Sequence, residues 1–159
     1  MELYLLRHGI AEDGRPGRPD AERELTAEGR EKTKAVLQMA AKSGVRPSLI
    51  LSSPYIRARQ TAAIAAAELE YKGHVELIES LVPHGTPERV WADVRDYAEH
   101  EAILLAGHEP LMSAMAAFFL NAPSLRVEMK KAALIRIDLE VVRAIPHGTL
   151  RWMITPGLT

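Results

Sequence analysis

Hydrophobic positions along the chain follow two alternating patterns: short unbroken apolar runs, and longer stretches where apolar residues recur every three or four positions. Leu3–Leu6, Leu49–Leu51 and Ala102–Ala106 are of the first kind and predict buried strands, and Val75–Ile78 predicts a further short strand. Between them lie helical stretches. Thr26 suits the N-cap of a helix running to about Lys42, with Glu28 and Glu31 early, Gly44 as the stop, and Thr33, Val36, Leu37 and Ala40 as its inward stripe. The Ala-rich run from Ile56 to Leu69 predicts a second helix, with Pro54 where a first helical turn tolerates it. Thr86 caps a third over Pro87–Tyr97, and Pro110–Leu120 makes a fourth whose Leu111, Met112, Met115, Ala116 and Phe119 share a core-facing side. Ala132–Leu139 and Thr149–Ile154, separated by Pro146-His147-Gly148, predict a closing antiparallel hairpin. The polar stretch from Glu12 to Glu24, with Gly14, Pro16, Gly17 and Pro19, predicts an exposed loop. Strands alternating with helices imply an α/β fold: a three-layer α/β/α sandwich around a mostly parallel sheet.

Composition narrows this picture. A length of 159 residues suits one domain, and 20 Lys+Arg against 21 Asp+Glu leave a net charge of −1. A dedicated nucleic-acid binder would need a strongly basic face, so that class is set aside. With 47% hydrophobic residues the chain has the means to build a core. The absence of cysteine removes disulfides, thiolate metal sites and cysteine nucleophiles together. Arg7 follows the opening apolar run too soon for a signal peptide, and no run approaches the ~20 residues of a membrane span. A cytoplasmic protein without membrane association is expected.

In a sheet of this kind the ligand crevice lies beyond the carboxyl ends of the strands. The first strand ends in Arg7-His8-Gly9; the second is followed by Ser52-Ser53-Pro54 and, one turn on, Arg57; the fourth by Gly107-His108-Glu109-Pro110. Three connections thus deliver two arginines and two histidines to one sheet edge. A lone loop histidine is usually a solvated residue, but this convergence points to a site. Its chemistry is cationic and donating, which suits a phosphoryl group, with Gly9 and Gly107 allowing close backbone approach. A neutral imidazole can be the nucleophile if its other nitrogen keeps its proton on a backbone carbonyl. No G-x-x-x-x-G-K-[ST], G-x-G-x-x-G or H-E-x-x-H occurs. His8 and His108 could ligate a metal with Asp13 or Glu109, but Arg7 and Arg57 would repel it, so neither metal nor cofactor is expected.

These residues resemble the histidine phosphatase superfamily, whose hallmark is R-H-G at the end of the first strand. Leu25-Thr26-Ala27-Glu28-Gly29 fits its L-T-x-x-G helix start, Ser53–Ala62 its S-P-x-x-R-A-x-Q-T-A segment, and Leu105-Ala106-Gly107-His108 the strand ending in the second histidine. The resemblance implies a phosphoglycerate mutase-like fold over residues 1–159, with His8 the phosphorylated nucleophile and Arg7, Arg57 and His108 holding the phosphoryl oxygens. Leu81-Val82-Pro83-His84-Gly85 and the small size resemble the SixA-type phosphohistidine phosphatases, which implies a further phosphate-side arginine at Arg23. Glu24 stands where that motif commonly has proline. Gly9, Ser53 and His84 are the remaining candidates for substrate contact.

Larger members carry a glutamate general acid in an insertion between the residues matching Arg57 and His108, where this chain has only 50 positions. A phosphoester's alkoxide needs such an acid to leave. Phosphohistidine does not, because its distal nitrogen can already be protonated and a neutral imidazole departs. The expected substrate is therefore phosphohistidine on a protein, such as a phosphotransfer domain or phosphocarrier. The alternatives are a broad phosphomonoesterase using His84 or Glu79 as acid, and a phosphate-binding module without turnover. Arg59, His74, His100 and His147 read as surface or rim positions.

Overall fold

The computed structural model describes residues 1–157; the last two of the expected 1–159 span lie outside the described residues. Strands β1 (Glu2–Arg7), β2 (Leu49–Ser52), β3 (Val75–Leu77), β4 (Ala102–Gly107), β5 (Leu134–Leu139) and β6 (Gly148–Ile154) form one sheet in the order β3-β2-β4-β1-β5-β6. β3, β2, β4 and β1 are mutually parallel, β5 runs antiparallel to β1, and β6 pairs antiparallel with β5. This is the expected mostly parallel sheet closed by a hairpin.

Helices α1 (Ala27–Lys42), α2 (Ile56–Glu68), α3 (Pro87–Arg95) and α4 (Leu111–Phe119) form the outer layers. Successive strand residues face opposite sides, and the core divides accordingly. Leu3, Leu5, Leu51, Ile103 and Leu105 pack with Val90, Trp91, Met112, Met115 and Phe119 of α3 and α4. Tyr4, Leu6, Ile50 and Leu104 pack with Val36, Leu37 and Ala40 of α1 and Ala62 and Ala65 of α2. Met112 and Met115 are core residues, fully buried.

Differences from the expected boundaries have local causes. The hairpin's first strand begins at Leu134, not Ala132, because Ala132 has φ of +66°, which no extended strand can include. That turn aims the Ala132 amide at the His8 carbonyl, 3.1 Å away. Pro54 precedes the helix rather than entering it, since Tyr55 is the N-cap of α2. The Glu12–Glu24 stretch is mostly exposed, as expected, but contains a 3-10 turn at Asp20–Glu22. Its ends are tied by an Ala11–Leu25 bridge and a Glu12 N–H to Glu24 carbonyl bond of 2.8 Å, so the loop returns to where it left the sheet. A second 3-10 turn, Glu79–Leu81, follows β3.

The start of α1 is locked to the exit of β1. Thr26 Oγ1 accepts from the Gly29 amide at 3.0 Å, and the Thr26 amide donates to the Ile10 carbonyl at 2.9 Å. Gly29 is needed because a Cβ there would strike the Ile10 carbonyl, and Gly9 because one there would strike Thr33 Oγ1 and the Gly29 carbonyl. Both obstacles are backbone or buried side chain. Gly29→Ala is therefore expected to cost about 1–3 kcal/mol. Its melting midpoint should fall by roughly 2–12 °C. An unchanged midpoint would show that the loop after β1 yields freely.

Candidate active site

β1 and β4 pair in register to their last residues, with Arg7 opposite Gly107 and the His8 amide bonded to the Gly107 carbonyl at 2.9 Å. The two histidines that follow these strands are therefore neighbours, their rings 5.0 Å apart at 55°. β2 ends beside β4, where the Ser53 amide donates to the Ala106 carbonyl at 2.9 Å, and the first turn of α2 sends Arg57 inward. Arg57 is only 4% exposed and stacks over the Tyr55 ring, 5.1 Å from its centre. The parallel sheet thus brings together residues separated by up to a hundred positions.

His8 Nδ1 lies 2.7 Å from the Gly9 carbonyl oxygen, which can only accept. Nδ1 therefore carries the proton and Nε2 the lone pair. Nε2 in turn accepts from Arg57 Nε at 3.3 Å. Burial first, then the charges of Arg57, Arg7 and Lys131, push the His8 pKa down to about 4 against the opposing effect of the Gly9 bond. His108 is pushed down to about 2, by burial first and then by His8 and Arg57. Both rings are neutral at pH 7.

His108 Nε2 meets Ser53 Oγ at 2.8 Å, and the same hydroxyl accepts from the Tyr55 amide at 3.3 Å. The Ser53 hydroxyl can donate or accept, so this bond fixes the orientation of the His108 ring. His108 Nδ1 is buried without a partner, and so is Arg7 Nε, while Arg7 Nη1 holds the Met129 carbonyl. Buried polar atoms are usually paired, so an unpaired guanidinium donor and an unpaired ring nitrogen among four converging residues mark a place built to receive a ligand's polar atoms.

The other sequence candidates divide. Ser53 orients His108. Arg23 donates from Nε to the Glu12 carbonyl at 2.6 Å and from Nη1 to Asp20 Oδ1 at 2.8 Å. Asp20 in turn binds Arg57, through Oδ2 to Nη2 at 2.9 Å and its carbonyl to Nη1 at 2.7 Å, so Arg23 joins the site through Asp20. Gly9 turns toward α1, its amide on Thr61 Oγ1 at 3.1 Å, and the packing explains its lack of a side chain. Gly107 sits against Met112. His84 and Glu79 are exposed on a hollow of ≈ 350 Å³ shared with Tyr55, Ser80, Val82 and Arg89. Tyr55 links this hollow to the histidines, its ring 5.1 Å from His108.

Arg59, His74 and His147 are exposed, while His100 is half-buried against Ser48. Asp13 is exposed, and Glu109 caps α4 by accepting from the Ser113 amide at 2.8 Å. Among the described residues no group of three or more His, Cys, Asp or Glu is placed to hold a metal, and no helix is long and apolar enough to cross a membrane.

Asp20 is the site residue that sequence reasoning missed. It lies in a loop that reads as solvent-exposed, and its spacing of three before Arg23 was the one available signal.

Residues 3–82 match the family model of the histidine phosphatase superfamily (branch 1). An uncharacterized protein of a Picosynechococcus strain is 35% identical over 150 residues, covering 92% of this chain and 90% of the relative. The SixA phosphohistidine phosphatase candidate of Agrobacterium tumefaciens superimposes with a TM-score of 0.83 at 25% identity, covering 98% of both chains. The protein histidine phosphatase SixA in complex with tungstate gives 0.86 at 24%, covering 98% of this chain and 97% of that one. An alpha-ribazole phosphatase of Shigella flexneri shares the fold at 0.74 and 21%, covering 99% and 96%. With its motifs gathered at one sheet edge and its family model matched over half its length, the chain belongs to the histidine phosphatase superfamily.

Proposed function

We propose that this phosphatase removes the phosphoryl group from phosphohistidine displayed on a protein, by way of a phosphohistidine intermediate on His8. His8 Nε2 attacks phosphorus in line as the P–N bond to the substrate imidazole breaks. The bonding pair goes to the departing nitrogen, and a proton on that ring's distal nitrogen makes the leaving group a neutral imidazole. Water then attacks the same phosphorus, the P–Nε2 bond breaks, and inorganic phosphate leaves with the water's protons. Arg57 and Arg7 neutralise the oxygens, and His108 supplies a neutral donor.

The observation that carries the substrate class is that, among the described residues, no carboxyl group hydrogen-bonds the His8 ring, whose partners are the Gly9 carbonyl and Arg57. The chain between Arg57 and His108 builds α2, β3, the Glu79–Leu81 turn, α3 and β4, and its two acid candidates, Glu79 and His84, stand on the hollow beyond Tyr55 rather than in a hydrogen bond with His8. The carboxylate that does stand on Arg57, Asp20, is held ionised: its hydrogen bond from Arg23, and after it the bond and charge of Arg57, keep its pKa below the usual carboxylate value. An alkoxide leaving group finds no acid there, whereas an imidazole needs none. A phosphotransfer domain or phosphocarrier is the partner this reading names.

The test is phosphate release, with chelator present, from a histidine-phosphorylated phosphotransfer protein beside p-nitrophenyl phosphate and a phosphoserine peptide. Esters are expected to turn over roughly 10²–10⁴-fold more slowly, the usual worth of a general acid. His8→Ala should be inactive on all three. Ester hydrolysis matching phosphohistidine hydrolysis would overturn the substrate class and direct attention to His84 and Glu79.

The depressed His8 pKa predicts a pH profile as well. Nε2 keeps its lone pair above about 4 and loses it to a proton below. The rate of phosphoenzyme formation, followed by rapid quench under kcat/KM conditions, should lose no activity to His8 protonation between pH 7 and 5. It should then fall as pH drops through about 4. An acid limb centred near the ordinary imidazole value of ~6.5 would contradict the buried, arginine-flanked environment.

A further inference from the structure

The Asp20–Glu22 turn touches the site from outside the sheet, and it does so at the guanidinium that faces the nucleophile. Nε and Nη2 are the two donors of one edge of an arginine, the edge that forks onto two oxygens of a phosphoryl group. In Arg57 the Nε donor goes to His8 Nε2 at 3.3 Å and the Nη2 donor to Asp20 Oδ2 at 2.9 Å. A carboxylate oxygen is thereby held beside the nitrogen that attacks phosphorus. The second oxygen, Oδ1, takes Arg23 Nη1 at 2.8 Å. Asp20 thus presents two anionic oxygens to two arginines, as a phosphoryl group would. A phosphoryl group approaching Nε2 along this edge meets a like charge on the same donors.

We propose that Asp20 is a positioning residue that competes with the phosphoryl group for Arg57. Its carboxylate holds Arg57 and Arg23 in their binding geometry, yields Nη2 to the entering phosphoryl oxygens, and returns as inorganic phosphate departs. This deepens the functional reading and rests on its phosphoryl site, not on the identity of the leaving group. The side chain has room for the exchange: it is 54% exposed, whereas that of Arg57 is 5% exposed. The backbone need not move, because the Asp20 carbonyl keeps its own 2.7 Å bond to Arg57 Nη1. Arg23 retains the displaced carboxylate at the rim. The competition penalises a small free anion, which brings only its charge, more than a protein substrate, which adds contacts of its own. It therefore favours release of product.

The decisive experiment is calorimetric titration of inorganic phosphate, and separately tungstate, into the wild type, Asp20→Asn and Asp20→Glu, with thermal melting of each variant. Asp20→Asn should bind phosphate about fivefold tighter than the wild type, the upper end for one partly exposed ion pair. Asp20→Glu, which keeps the charge, should stay within about threefold of wild type. In steady state, Asp20→Asn should lower both KM and kcat, as tighter phosphate binding slows release. Asp20→Ser substitutes for Asn if the latter melts abnormally. Unchanged or weaker phosphate binding by Asp20→Asn would overturn the proposal, as would equal tightening in Asn and Glu, which would implicate loop packing rather than charge. If no variant binds either anion, the phosphoryl site falls together with the role of Asp20. Tightening in Asp20→Asn alongside a wild type inert toward phosphohistidine would support Asp20 and overturn the substrate class.

Discussion

The site depends on a buried guanidinium. Removing an arginine from water costs several kcal/mol unless its donors find partners, and Arg57 is buried. Its partners come from three parts of the chain: His8 after β1, both a carbonyl and a carboxylate of Asp20, and the face of Tyr55 at the start of its own helix. Satisfying this one charge ties the exit of β1, the first turn of α2 and the long polar loop into a single arrangement. The same tie sets Arg57 Nε against the His8 lone pair.

Around that charge, two histidines stay neutral for physical reasons that reinforce each other. Each is buried, and each faces Arg57 and Arg7, so protonation would add a positive charge to a dry, already positive place. The hydrogen bond to the Gly9 carbonyl then sets which nitrogen of the His8 ring carries the proton, and the Ser53 hydroxyl orients the His108 ring. Each ring thereby keeps an unprotonated nitrogen near neutral pH.

The segments joining α2 to β4 add β3 to the edge of the sheet and α3 to one face. What stands over Arg57 is the 3-10 turn of the Glu12–Glu24 stretch, an exposed piece of chain whose carboxylate is anchored by two arginines. The family relationship establishes a phosphatase; the shape of this neighbourhood is what bears on which phosphate it takes.

Much of this was legible in the chain alone, because period-two and period-3.6 hydrophobic patterns are local. Leu3–Leu6 and Ala102–Ala106 had to be buried strands, and Thr33, Val36, Leu37 and Ala40 had to face inward. The R-H-G end of β1, the S-P-x-x-R-A start of α2 and the histidine after β4 stand at strand ends, so a parallel sheet had to gather them. Tertiary structure alone decided what depends on contacts between distant segments. The left-handed Ala132 delays β5 against the ordinary preference of alanine, in exchange for a bond to the His8 carbonyl. Gly9, which as a sequence feature suited approach to phosphate, is required by the close packing of α1. Asp20, an acidic residue in a loop that looks solvated, becomes part of the site because Arg57, 37 positions away, is buried and needs its carboxylate. Hydrophobic periodicity announces itself within a few residues, whereas the partner of a buried charge is chosen only when the chain has folded back on itself.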